Sequence, residues 1–139
     1  MEISGSCLCN AVQFKVSGAP KSVVNCHCSI CRKQSGAPFS TYVAVPESAF
    51  EIVAGADSIS SFQIGEGAQK YFCKHCGSPI FNNNIRYPGL SIIYLGGISD
   101  LMEITPTANI YCESQLSWTS SIVGLRSFAQ GIAKRTDPK

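Results

Sequence analysis

The chain has 139 residues, 45% hydrophobic and 14% charged, with a formal net charge of +2. That composition excludes a disordered chain and fits one compact domain spanning residues 1–139. So weak a charge, with no basic run longer than Arg32-Lys33 or Lys134-Arg135, gives no ground for a nucleic-acid partner.

Taken in chain order, the elements read as mostly β. Residues 12–17 alternate, with Val12, Phe14 and Val16 on one face. Residues 39–45 are β-branched and aromatic and end at Pro46. Short strands are expected at 50–53, 59–64, 69–73 and 79–82, a buried one at 90–96, and a last one at 108–112. Glycine and proline punctuate the gaps, as at Gly18, Gly55 and Pro88-Gly89. Short helices are expected only at 29–35 and 125–133, and Ala133 to Lys139 reads as a polar tail. The aromatics Phe39, Tyr42, Phe62, Phe72, Phe81 and Trp118 are assigned to the core. The longest apolar run, near Leu90 to Ile98, falls far short of the ~20 residues that span a bilayer. Met1 to Ser6 shows no basic stretch followed by an apolar one. A small, sheet-based, soluble cytoplasmic protein with no membrane partner is therefore expected, its cysteines at strand ends or turns.

Eight cysteines need an explanation, and seven fall into three tight groups: Cys7 and Cys9; Cys26, Cys28 and Cys31; Cys73 and Cys76. A reducing compartment argues against disulfides, and a Cys-x-Cys bridge would be strained. A zinc ion takes four ligands in a tetrahedron. Cys73-x-x-Cys76, followed by Gly77, supplies two, and Cys7 with Cys9 completes a closed, structural set. Cys26, Cys28 and Cys31 then offer three ligands and one open position, the arithmetic of a catalytic zinc. A different sharing, between the middle group and the third, leaves a worse count. The same thiolates can serve an iron–sulfur cluster, and Cys73 with Cys76 can form a redox pair, although no βαβ pattern surrounds them. Cys112 stands alone and reads as a small buried hydrophobe.

His27 lies between two ligands and is expected to point away from the metal; the roles of fourth ligand and of proton carrier stay open. Arg32 and Lys33 have two readings of equal weight. They form a solvated turn, or they place positive charge beside the thiolates, where it would suit a carboxylate-bearing substrate.

The motifs Gly5-Ser6-Cys7-Leu8-Cys9-Asn10-Ala11-Val12, Cys26-His27-Cys28-Ser29-Ile30-Cys31-Arg32-Lys33 with Gly36 and Phe39, and Phe72-Cys73-Lys74-His75-Cys76-Gly77-Ser78 together resemble the glutathione-dependent formaldehyde-activating enzyme family, or centromere-protein-V/GFA domain. The resemblance covers roughly residues 5–118. It implies a mainly β, single-domain β-tent (Mss-four-like) fold around a structural zinc held by Cys7, Cys9, Cys73 and Cys76. It implies a second, catalytic zinc on Cys26, Cys28 and Cys31, hence two zinc ions per chain. The implied activity is that of a carbon–sulfur lyase resembling S-(hydroxymethyl)glutathione synthase, with a thiol such as glutathione and a small aldehyde as partners. Asn109 stands where the family often carries histidine. Two other readings are a zinc-stabilised binding module without catalysis and a thiol redox enzyme using Cys112 as nucleophile.

Overall fold

The computed structural model describes residues 2–100 and 103–132. In chain order the elements are β1 (Glu2–Ser6), β2 (Gln13–Ser17), β3 (Ser22–Cys26), α1 (Ser29–Ser35), β4 (Ser40–Pro46), β5 (Phe50–Ala54), β6 (Ile59–Ile64), β7 (Ala68–Cys73), β8 (Pro79–Asn84), β9 (Leu90–Tyr94) and β10 (Ala108–Ile110), with short 3-10 turns between some of them. No helix among the described residues is long and apolar enough to cross a membrane.

Two sheets result. The smaller has the order β1-β2-β5 and the larger β10-β3-β4-β9-β8-β7-β6. All pairs are antiparallel except β10, which lies parallel to β3. The period of two decides which residues meet between the sheets. In β2, Phe14 and Val16 turn inward and Lys15 outward. In β4, Val43 and Val45 face the small sheet, joining Ile93, Phe14, Val16 and Ile3 in one core. The alternate residues of β4 are buried too. Tyr42 and Ala44 look the other way, as do Ile92 and Tyr94 of β9, directly across the ladder. That second face carries its own cluster of Cys26, Cys31, Tyr42 and Tyr94. A central strand buried on both faces is the reason 42–45 shows no polar alternation.

The expected strands at 12–17, 39–45, 50–53, 59–64, 69–73, 79–82, 90–96 and 108–112 all form with end shifts of a few residues, as does the helix at 29–35. Two strands were not anticipated. In β1 only Ile3 is a large apolar residue, and Gly5 argues against a strand until its neighbour is seen. The Phe14 ring and the Gly97 carbonyl fill the space where a side chain at Gly5 would sit. In β3 the pattern Ser-Val-Val-Asn-Cys is too polar to stand out. The helix expected at 125–133 is absent over its described part, 125–132. Gly124 and Gly131 bracket too short a stretch for a helix to nucleate, and the 3-10 turns over Ser117–Gly124 end before it. Ala133 and the polar tail after it lie outside the described residues.

The core assignment of the aromatics also needs correction. Trp118 is 48% exposed and Phe62 65% exposed. Trp118 sits in the outlying 3-10 segment, and Phe62 belongs to β6, the edge strand of the large sheet. Phe81 does pack on Phe50 in the core, and Phe39 lies against His27.

Gly5 provides a direct test. A Cβ there would lie 2.3 Å from both the Gly97 carbonyl oxygen and a Phe14 ring carbon, whereas one on Gly96 meets nothing within 4 Å. Gly5→Ala is expected to lower stability by about 2–3 kcal/mol, and Gly96→Ala to change it by less than about 1 kcal/mol. Urea denaturation of the two variants measures this. Equal midpoints would remove the close approach as the reason for glycine in β1.

Candidate functional site

Two groups of sulfurs converge. The four Sγ atoms of Cys7, Cys9, Cys73 and Cys76 lie within 4.8 Å of one another, as do the three of Cys26, Cys28 and Cys31. All eight cysteines are free thiols, and Cys112, expected to be buried, is exposed.

The first group is built from two tight turns. Cys7 N–H donates to the Val12 carbonyl at 3.0 Å, Val12 N–H returns to Cys7 Sγ at 3.3 Å, and Asn10 turns the chain at φ 67. On the other side Gly77, at φ 76, donates to the Cys73 carbonyl at 2.8 Å. Ser78 joins the turns. Its Oγ accepts from Leu8 N–H at 3.1 Å and lies 3.2 Å from Cys76 Sγ. That hydroxyl, followed by backbone N–H groups of Cys9 and Ser78, pulls the Cys76 thiol down to about 5. Cys7 Sγ and Cys9 Sγ are 3.6 Å apart, and Cys9 Sγ and Cys73 Sγ 3.8 Å. Four thiolates at ~2.3 Å from one ion stand about 3.8 Å from each other, so the set fits a tetrahedral ion. The cluster ties the β1–β2 turn to the β7–β8 turn, one from each sheet.

The second group sits on the outer face of the large sheet. Cys26 ends β3, held by β4 on one side and β10 on the other. Cys28 is the N-cap of α1, its Sγ accepting from Cys31 N–H at 3.3 Å. Gly36 closes the helix in the left-handed conformation. Cys26 Sγ and Cys31 Sγ are 3.4 Å apart. That contact draws the Cys31 thiol down. Burial opposes it, the Tyr42 hydroxyl and the Lys70 charge add to the pull, and the thiol settles at about 5. Cys26 keeps the proton, pushed up by Cys31 and by burial. Burial also pushes up Tyr42, which therefore stays protonated and donates to Cys31 Sγ at 3.0 Å. Lys70 Nζ in turn donates to the Tyr42 oxygen at 3.0 Å and lies 4.0 Å from Cys31 Sγ.

These three cysteines line a cavity of about 740 Å³, whereas none of the four in the first group does. Tyr42, Lys70, Asn82 and Arg86 line it too, amid a mainly apolar wall. Tyr42 was assigned to the core, and Lys70, Asn82 and Arg86 carried no signal in the sequence. Their shared face depends on register across four strands, which spacing does not encode.

His27 turns away from the cysteines, as expected, but into the protein: it is 2% exposed. Its Nε2 lies 3.2 Å from Asn109 Oδ1, and its ring packs on Phe39. Asn109 Oδ1 also accepts from Asn25 Nδ2, so Nε2 is the protonated nitrogen. His27 is neither part of the sulfur cluster nor a lining residue. Arg32 grips the carbonyls of His27 and Ser114, and Lys33 is exposed; neither lines the cavity. His75 is exposed, with Nε2 3.1 Å from Ser58 Oγ.

The model of the glutathione-dependent formaldehyde-activating enzyme family matches residues 2–114. The chain belongs to that family. Among its relatives is a Halomonas elongata protein provisionally named a glutathione-dependent formaldehyde-activating enzyme. The two are 30% identical over 125 residues, covering 85% of this chain and 80% of the relative. An Aspergillus flavus protein with the same provisional name is 33% identical over 93 residues, 63% of this chain and 49% of its own length. The chain thus spans about half the length of that fungal member. A crystal structure of a Rhodobacter sphaeroides protein shares the fold, with a TM-score of 0.62, 22% identity, and coverage of 76% of this chain and 98% of that one.

Metal analysis by mass spectrometry on protein purified without chelator is expected to find two ions per chain. A Cys26/Cys28/Cys31 triple serine variant is expected to keep one. Loss of both ions from that variant would mean that the clusters are not independent.

Proposed function

We propose that this family member is a zinc-dependent carbon–sulfur lyase with two zinc ions per chain. It adds a small thiol such as glutathione to an aldehyde, in the manner of S-(hydroxymethyl)glutathione synthase, or reverses that addition. One contrast carries the reading: four cysteines meet in turns away from the cavity, and three meet on its wall. Cys7, Cys9, Cys73 and Cys76 would hold a closed, structural ion, and Cys26, Cys28 and Cys31 an ion with one open position. When bound there, zinc supplies Lewis acidity and lowers the pKa of a thiol beside it.

The addition balances without an oxidant or reductant. The thiol S–H bond breaks, an S–C bond forms, the carbonyl π bond opens, and the proton ends on the oxygen. The chain's own residues orient and shield the reactants. Tyr42 holds Cys31 in one position through its hydroxyl, and Lys70 holds Tyr42. The apolar wall keeps water from competing with the thiol. Arg32 supports the site by fixing the start of α1 rather than by binding a carboxylate. Eight free thiols suit a reducing compartment, and we place the protein in the cytoplasm.

Cys28→Ser is the discriminating variant, because serine is itself a favoured N-cap and preserves α1. Turnover of thiol and aldehyde, followed by NMR of the adduct, is expected to fall by at least roughly a hundredfold, with circular dichroism unchanged. Full turnover in a folded variant lacking the second ion would refute the reading and leave a zinc-stabilised binding module.

A further inference from the structure

The wall of the cavity holds no aspartate or glutamate, and it holds two cations, Lys70 and Arg86. They differ in what engages them. Lys70 is buried, its Nζ donating to the Tyr42 oxygen at 3.0 Å and lying 4.0 Å from Cys31 Sγ. Arg86 is exposed at the mouth, in the connection from β8 to β9. Its Nη1 donates to the Tyr111 hydroxyl oxygen at 3.0 Å. Among the described residues no carboxylate lies within ion-pair distance of it. A guanidinium presents five N–H donors in a fork that matches a carboxylate. One bond to a phenol leaves Arg86 most of them.

Arg86 is held from two sides. Asn84 Oδ1 accepts from Arg86 N–H at 3.0 Å and fixes the turn. Arg86 follows β8 and Tyr111 follows β10, with β9, β4 and β3 between those strands in the sheet. Their contact thus joins two edges of a cavity whose floor includes Val24, Ala44 and Ile92. Tyr111 sits at φ 56 and ψ 43, a left-handed conformation that is unfavourable for a bulky side chain and easier for glycine or asparagine. The strain is kept at the residue whose hydroxyl meets the exposed cation. Tyr87 lines the same mouth. Burial, and then Tyr111, hold its hydroxyl above the ordinary range, so it stays protonated, and Cys26 acts in the same direction. A guanidinium and two phenols therefore gather on the wall that carries the second sulfur group, with no acid among them.

We infer that the thiol taken by this site bears a carboxylate, which Arg86 holds at the cavity mouth with Tyr111 beside it while the sulfur reaches Cys26, Cys28 and Cys31. The inference rests on the thiol-addition reading above and assigns the residues that select the thiol. Three thiolates around one divalent ion carry net negative charge and repel a carboxylate, so its place is at the exposed cation. Arg86 and Tyr111 touch the thiol partner away from its reacting atoms and set specificity through a charge-assisted hydrogen bond. Arg32 and Lys33, the cations beside the motif in sequence, line no part of the cavity.

A blocked thiol separates binding from turnover. S-methylglutathione keeps its carboxylates, and its diethyl ester masks them. Titrated into the metal-loaded full chain and followed by NMR, the acid is expected to bind at least roughly tenfold more tightly than the ester and to shift the Arg86 Nε–H signal. Arg86→Gln is expected to weaken the acid roughly tenfold and Tyr111→Phe roughly threefold. Arg126→Gln, off the cavity, is expected to leave that affinity unchanged. Equal affinities for acid and ester in the wild type would overturn the inference whether or not the variants fold. In turnover with formaldehyde, the kcat/KM of glutathione relative to 2-mercaptoethanol is expected to fall roughly tenfold in Arg86→Gln. An unchanged ratio, with glyoxylate losing ground to formaldehyde instead, would put the carboxylate on the aldehyde and overturn the inference. With no addition catalysed but Arg86-dependent binding of the acid, the reaction reading fails and the carboxylate site is supported. Catalysed addition with Arg86-independent binding keeps the reading and removes the inference.

Discussion

Everything in this molecule hangs on two short turns being brought together. Cys7 and Cys9 lie between β1 and β2; Cys73 ends β7 and Cys76 lies in the turn to β8. The two hairpins belong to different sheets and are separated by more than sixty residues of chain, as the 64-residue gap between Cys9 and Cys73 records. Closing so long a loop carries an entropy cost that grows only with the logarithm of its length, and a four-thiolate set can offset it. Once the turns meet, Cys7 and Cys73 are buried with Phe14, Val16, Val43 and Ile93 in the same core. The sulfur cluster is therefore continuous with the hydrophobic core rather than attached to it.

The outer face of the large sheet obeys a different constraint. Taking an ammonium out of water costs several kcal/mol after relaxation, and Lys70 is 5% exposed. The Tyr42 and Tyr94 rings lie 5.0 and 5.6 Å from its Nζ, and a desolvated cation–π contact contributes about 2 kcal/mol. The Tyr42 oxygen adds one hydrogen bond. The remaining compensation comes from the lowered, anionic Cys31 sulfur. Lys70 and Cys31 therefore support one another: the lowered Cys31 thiol favours the nearby cation, and the Lys70 charge helps to lower that thiol. A core that would otherwise be closed with leucine keeps a polar seam reaching the cavity.

Residues that act through sequence-local geometry were legible, and those that act through register were not. Cys26, Cys28 and Cys31 announce themselves because a strand end and the first turn of a helix bring close spacing into close space. Lys70 and Asn82 are twelve residues apart in an unremarkable stretch, and only the β7–β8 pairing places them side by side. The same limit explains β1, whose Gly5 makes sense only against Phe14. It explains Phe62 as well, since β6 is the edge strand of the large sheet among the described residues. His27 was legible in direction but not in depth. Its burial follows from Asn109 and Asn25, which β10 and β3 align in register.

The two sulfur groups also differ in what holds them before any ion arrives. Cys7, Cys9 and Cys76 stand on turns, and Cys73 closes β7, where it pairs with Ile59 of β6. Cys26 is different, paired on both flanks, with Ser40 in β4 and Ile110 in β10. Cys28 and Cys31 ride on α1, which Arg32 pins to the His27 and Ser114 carbonyls and Gln34 pins to the Tyr94 hydroxyl. Tyr42 fixes the Cys31 sulfur itself. A ligand set preorganised by the sheet loses little entropy on taking up a metal and little structure on giving it up. Such a set can keep a position open for substrate without its own cysteines rearranging to fill it. On the proposed reading the fold would separate two demands that conflict at a single ion, since stapling sheets together favours four protein ligands and chemistry requires fewer.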